Sequence, residues 1–360
     1  MNLFDLGQTI EGYASLDIQN AACSKVLSPL STCQKCQEIC PVQALTFADG
    51  QWSANQCVGC GLCVIACPNH VFRLDEDILL QAASPDKPLL VSCRHNPAPN
   101  DSGVLIGCLQ QLYPELILRL LPRVQKLVLY ADSRICDQCP QHWYALGLPL
   151  QLKNFGLPLD NFALVTDPQA LSAQVPIPKE PSRRAFFKQL FHETKTTSQK
   201  TIVQSAENLL ADLPTNVTIG DTPAVLPVRR APLRSLYAAH PMTAELAEQE
   251  LPYRLPSVEH CTFCGACTHL CPTGALTLRT QEDDGKQLLF QPILCTQCQL
   301  CQDICMHKQF YWSDRLTVGQ LLSDKPLTLA QSPAKTCAQC EHPYWEYPDE
   351  GTDICPFCRR

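Results

Sequence analysis

The chain has 360 residues, enough for two or three domains, and 24 of them are cysteine, far more than packing alone employs. A net charge of −7 and a pI near 5.7, with no basic stripe alternating with aromatics, exclude a nucleic-acid role. The most apolar stretch, residues 116–130, is broken by Arg119, Pro122, Arg123 and Lys126, so an apolar membrane-spanning helix is excluded as well.

The first sixteen residues carry no basic n-region, no apolar core and no small-residue cleavage site, which reads as a cytoplasmic chain without a secretory leader. In a reducing compartment, cysteines grouped as Cys-x-x-Cys read as metal ligands rather than disulfides. They fall into groups of eight, four, eight and four along the chain, multiples of the four ligands that a cubane or a tetrahedral zinc takes.

The first group lies in residues 1–82. Cys57, Cys60, Cys63 and Cys67-Pro68 have the spacing C-x₂-C-x₂-C-x₃-C-P. Three thiolates of such a run wrap one face of a cubane, and the fourth serves the neighbouring cluster. Cys57, Cys60 and Cys63 are therefore assigned with Cys40 to one cluster. The other has Cys33, Cys36 and Cys67, but the expected first position is Leu30. Either Cys23 folds back to supply the ligand, or the site is incomplete and holds [3Fe–4S], a non-cysteine ligand or nothing. Between the runs, Asp49-Gly50 flanked by apolar residues predicts a hairpin.

Residues 83–170 read as a small, mostly parallel α/β domain. Buried strands are predicted at residues 88–92, 104–107, 126–130 and 162–166, with a helix over 109–121 that has Pro114 in its first turn. Cys93, Cys108, Cys136 and Cys139 sit at or beyond the strand ends, where sites in open α/β sheets gather. They read either as one centre, of iron or zinc, or as a Cys136/Cys139 knuckle beside two core cysteines.

Residues 171–254 read as a proline-rich surface linker; the weakly periodic stretches are 148–181 and 213–256. Between them, Ser182-Arg183-Arg184-Ala185-Phe186-Phe187-Lys188 has the form of a twin-arginine motif. Its internal position favours a plain amphipathic helix, with Ser182 as N-cap and Phe186, Leu190 and Phe191 on one face.

Residues 255–315 carry the clearest signal. Cys261, Cys264, Cys267 and Cys271-Pro272 form a complete run, and Cys295, Cys298, Cys301 and Cys305 repeat it with Met306 in place of proline. One cluster is assigned to Cys261, Cys264, Cys267 and Cys305, and its partner to Cys295, Cys298, Cys301 and Cys271. Gly265 suits a loop passing close to sulfide. A hairpin is predicted over 276–290. In the tail, residues 330–360, Cys337-x-x-Cys340 and Cys355-x-x-Cys358 have zinc-ribbon spacing, although a rubredoxin-like iron has the same S₄ geometry.

These runs resemble the bacterial-type two-cluster [4Fe–4S] ferredoxins over roughly residues 20–80 and 255–312. The resemblance implies two ferredoxin-like modules in an α+β multidomain chain, three to four [4Fe–4S] clusters, and one-electron transfer with a partner oxidoreductase. The middle region is loosely similar to small iron–sulfur subunits of hydrogenase and heterodisulfide reductase systems, which implies an iron–sulfur centre there. The segment beginning at Ser182 looks like an accessory ferredoxin of the periplasmic nitrate reductase type, which implies the alternative of a cytoplasmic maturation factor for a molybdoenzyme. No nucleophile–base pair, phosphate loop or dinucleotide fingerprint occurs, so no independent catalysis is expected. His95, His142, His269 and His307 lie near cysteines and read as surface or supporting residues rather than ligands.

Overall fold

A computed structural model describes residues 16–74, 76–99, 103–139, 147–175, 216–219 and 222–359. The twin-arginine segment and His142 lie outside the described residues.

The first cysteine-rich region is closed by β1 (Asp17–Ile18) pairing antiparallel with β4 (Phe72–Arg73). Between them, β2 (Leu45–Ala48) and β3 (Gln51–Ala54) form the expected hairpin. Its two-residue turn is Asp49-Gly50 at φ 50° and 73°. Positive φ at both positions matches strand twist, which is why this dipeptide sets the register. Helix α1 (Leu62–Ala66) starts from Gly61, which is left-handed at φ 75°.

The middle of the chain is a four-stranded, all-parallel sheet of β5 (Pro88–Cys93), β6 (Val104–Ile106), β7 (Lys126–Tyr130) and β8 (Phe162–Val165), in the order β6-β5-β7-β8. Both faces are covered, as parallel sheets require. Leu89, Val91, Leu127 and Leu129 face the main core, while Leu90, Val128, Tyr130 and Val165 face a second cluster with Leu171 and Val175. The helix expected over 109–121 is shorter: α2 spans Pro114–Leu120. Pro114 fixes the first helical φ, and Tyr113 before it is held extended at ψ 155°, so Leu109–Gln111 is a separate 3₁₀ turn.

The linker reading is corrected at both ends. Leu148–Lys153 is helical and buries Leu148 and Leu152. After the ribbon of β9 (Asn216–Ile219) and β10 (Thr222–Val225), the chain enters the core. Helix α3 (Ala231–Ala238) packs on α2, with Leu233 and Tyr237 buried. Tyr237 Oη donates to the Phe155 carbonyl at 2.5 Å, and Tyr253 Oη to Glu115 at 2.7 Å. Apolar and tyrosine contacts hold this stretch despite its prolines.

The second cysteine-rich region is framed by β11 (Glu250–Val258) antiparallel to β14 (Phe310–Thr317). Inside the frame lie α4 (Ala266–His269), the hairpin β12 (Leu276–Thr280)–β13 (Lys286–Phe290) and α5 (Leu300–Ile304); β15 (Leu327–Ser332) adds to β13 as a third strand. The tail forms β16 (Lys335–Thr336) and β17 (Pro343–Tyr344). No helix among the described residues is long and apolar enough to cross a membrane.

Candidate metal centres

Three sulfur-lined cavities lie in the two cysteine-rich regions, and each draws its cysteines from two separate runs. One is lined by Cys261, Cys264, Cys267 and Cys305, closed by Phe263, Leu278 and Phe310. Another is lined by Cys271, Cys295, Cys298 and Cys301. A third is lined by Cys40, Cys57, Cys60 and Cys63. An apolar cavity lined by four cysteines offers the donor set that a cubane takes.

The fourth group forms around Cys36. Burial pushes its thiol up to about 12, and the charges of Cys67, Cys33 and Cys23 add to the shift. Cys23 is buried and accepts a hydrogen bond from Trp52 Nε1 at 3.2 Å. Cys23 thus lies on the side of Cys33, Cys36 and Cys67, whereas Leu30 is 61% exposed. The loop geometry explains the altered spacing. Gly59, Phe263 and Gln297 follow the first thiols of three runs by two residues, and all have positive φ. In the run of Cys33 and Cys36 the chain arrives instead through the helical turn Ser24–Leu27.

A further repeat lies three residues beyond the last cysteine of every run, where Gln43, His70, Gly274 and Lys308 all have positive φ. Met306 therefore leaves the turn intact without the proline. Main-chain N–H groups also reach sulfur: Ala44 to Cys40 at 3.3 Å, Val71 to Cys67 at 3.4 Å, and Phe263 to Cys261 at 3.4 Å. Such bonds stabilise a thiolate ligand and tune a bound cluster.

Comparison with known proteins agrees with this geometry. Residues 260–309 match the model of the 4Fe-4S dicluster domain, and residues 29–76 match that of the LdpA Fe-S cluster-binding domain. The chain is 51% identical over 43 residues to an uncharacterized ferredoxin of Methanocaldococcus jannaschii, a match covering 11% of this chain and 26% of that protein's length. It is also 35% identical over 51 residues to a ferredoxin-like protein in the nif region of Rhizobium leguminosarum bv. trifolii, covering 12% of this chain and 72% of that protein. The chain belongs to the ferredoxin-like iron–sulfur proteins. It carries iron–sulfur cluster domains, one of them of the 4Fe-4S dicluster type.

In this ferredoxin-like protein the cysteine sets are close neighbours. Cys36 contributes to the raised pKa of Cys63, and Cys267 to that of Cys301. Across the two regions, Ser24 lies near Cys298 and partly offsets the rise that burial imposes on that thiol. Thr296 Oγ1 donates to Asn69 Oδ1 at 2.6 Å, and Thr32 donates twice to Asp303, at 2.8 and 3.0 Å.

The four cysteines of the parallel sheet lie near enough to influence one another. Burial raises the Cys93 thiol, with Cys136 and Cys139 adding charge. Cys108 is raised to about 12, by burial first and then with Cys93, Cys60 and Cys139 adding. Cys108 is thus near both the sheet's set and Cys60 of the first region. The approach is close: a Cβ on Gly107 would stand 2.2 Å from the Gly59 carbonyl oxygen. Asn96, unremarked in the sequence, donates Nδ2 to the Asp132 carbonyl at 2.9 Å and to Cys136 Sγ at 3.2 Å.

In the tail, the thiols of Cys337, Cys340, Cys355 and Cys358 all lie within 4.8 Å of one another. The Cys340–Cys355 separation is 3.9 Å, close to the roughly 3.8 Å edge of four sulfurs placed about 2.3 Å from one ion. The Cys355 N–H, at 3.3 Å from Cys337 Sγ, draws that thiol down to about 6. The tail also braces a cluster loop, since Cys261 and Tyr347 exchange main-chain hydrogen bonds of 2.7 and 3.0 Å.

Neither His95 nor His307 is buried, and His269 Nδ1 lies 3.1 Å from the Gly265 carbonyl. Sequence reasoning passed over Trp52, Asn96, Arg229 and Arg230. A tryptophan two residues beyond the Asp-Gly turn was the one available signal.

Proposed function

We propose that the protein is a polyferredoxin that conducts single electrons between a partner oxidoreductase and a second redox partner, in a reducing cytoplasmic setting. Sixteen thiols would hold four [4Fe–4S] clusters: Cys23, Cys33, Cys36 and Cys67; Cys40, Cys57, Cys60 and Cys63; Cys261, Cys264, Cys267 and Cys305; and Cys271, Cys295, Cys298 and Cys301. Such a cluster takes up and releases one electron, at potentials between roughly −700 and +450 mV across proteins. Cys93, Cys108, Cys136 and Cys139 would hold an iron–sulfur centre, and the tail tetrad a structural zinc.

The observation that carries the reading is three sulfur-lined cavities, each drawing four cysteines from two separate runs. Neighbour contacts support a single row of centres: Cys108 beside Cys60, Cys36 beside Cys63, Ser24 beside Cys298, and Cys301 beside Cys267. The domain division that fits is residues 1–82, 83–175 and 222–332, with the tail after it. A structural metal role alone would not call for such a row.

The test is to reduce the anaerobic protein with a low-potential donor and follow bleaching near 400 nm. Reversible bleaching, with electrons recovered on a one-electron acceptor dye, is expected. A protein that holds its metal but does not bleach would overturn the proposal.

A further inference from the structure

The two cysteine-rich regions do not meet over their whole facing surface. Between them lies a cleft of about 630 Å³ that no cysteine lines. Its walls are the chain just beyond Cys67 and Cys271, the Thr296-Gln297 pair between Cys295 and Cys298, and the strip from Val225 to Arg230. In a chain of net charge −7, this cleft is lined by Lys35, Arg73, Arg229, Arg230 and Arg254 against a single carboxylate, Glu115.

Two arginines of its lining are held by main-chain carbonyls, and each leaves one buried nitrogen without a partner. Arg229 donates to the carbonyls of Val64 and Ile65, the second at 3.1 Å, at the end of α1. Its guanidinium stacks 4.7 Å from the Tyr113 ring. Arg230 donates twice to the Cys295 carbonyl, at 3.0 and 2.9 Å, and lies against the Tyr253 ring. One arginine is thus tied to each region. Arg230 is 3% exposed and His70 6% exposed, yet Arg230 Nη1, Arg229 Nε and His70 Nδ1 are buried with no hydrogen-bond partner among the described residues. A buried donor left unpaired costs about 1–3 kcal/mol, more when charged. Glu115 accepts from Tyr253 and not from these three atoms.

We propose that this cleft binds a small multivalent oxyanion, a di- or polycarboxylate or a phosphate ester. Guanidinium forks match carboxylate and phosphate oxygens in pairs. Five cations around one cleft suit two or more negative charges, and the volume falls in the range of organic ligand sites rather than that of a bare ion. The rival account is that the arginines only offset negative charge at the flanking thiolates. That account requires no ligand.

The experiment is anaerobic titration calorimetry of the oxidised, metal-loaded full chain with citrate and with pyrophosphate at fixed ionic strength. Saturable 1:1 binding of at least one probe is expected, and the probe that binds separates carboxylate from phosphate recognition. Arg73 and Arg254 are exposed, so R73Q/R254Q keeps the buried clamp and should weaken binding at least tenfold. The exposed Arg279 lies away from the cleft lining, and R279Q should bind as the unaltered protein does. No saturable heat up to millimolar concentration with either probe would overturn the proposal, as would an equal loss in R279Q, which would mark the heat as general charge screening.

Discussion

Trp52 shows how a single side chain ties local structure to cluster chemistry. It is buried, its main-chain N–H donates to Asn20 Oδ1 at 2.8 Å, and its ring packs between Phe47 and Phe72. Its indole N–H is thereby aimed at Cys23 Sγ. A donor to sulfur favours the more negative, reduced cluster. If that preference is about 1 kcal/mol, then W52F lowers one midpoint potential by about 40 mV in a one-electron couple and leaves the others in place. A redox titration resolves this, and unchanged potentials would remove Trp52 from the account. His70 offers a pH test. Burial, then the charges of Arg229 and Arg73, lower its pKa from 6.5 to about 3. The unfolded chain takes up a proton below about pH 6.5 while the folded chain does not. The stability this contributes is therefore present above 6.5 and is lost as the pH falls toward 3. H70N keeps a residue tolerant of the left-handed backbone there. It should flatten the loss by up to roughly 1.4 kcal/mol per pH unit, as read from anaerobic denaturant midpoints at pH 7.5 and 5.5.

At the scale of elements, what could be read from the sequence depended on whether the signal was local. The Asp49-Gly50 turn, the Cys-x-x-Cys runs and the four apolar strand segments are short-range signals, and each appears where it was expected. Cys23 is a different case. Its distance from Cys33 departs from the repeat, and only the count of eight hinted that it belonged. The stretch from 222 to 254 was misread because its prolines and weak periodicity resemble a surface linker. It is held in place by Tyr237, Tyr253 and Arg230, whose partners lie 82, 138 and 65 residues away along the chain. Such partners leave no periodic trace. Two predictions belong here. C23A should lose about four irons or leave a three-iron centre while the other sets stay loaded, as iron and sulfide assays would register. C337S should remove the tail ion and speed iron loss from the Cys261 set, because Tyr347 braces that loop. Equal iron-release rates to a chelator in C337S and the unaltered chain would dismiss the bracing role.

At the scale of the molecule, the parallel sheet and the two cysteine-rich regions share one continuous core that includes Val64, Val91, Leu116, Tyr237, Leu251 and Phe290. A common core fixes the spacing between cysteine sets in a way that tethered beads would not. The contacts between Thr296 and Asn69 and between Thr32 and Asp303 reinforce it where the two regions meet. Acidic overall charge is set against a basic cleft at that junction. The central claim is that this framework holds a row of redox centres with a zinc-braced end. The most direct test is iron, acid-labile sulfide and zinc analysis of anaerobically purified protein, joined to an EPR-monitored redox titration. The account predicts about 16 irons from four cubanes with matching sulfide, a few more irons from the sheet's cysteines, one zinc, and interacting S = ½ signals on reduction. Chiefly zinc, with little sulfide and no reducible signal, would contradict it.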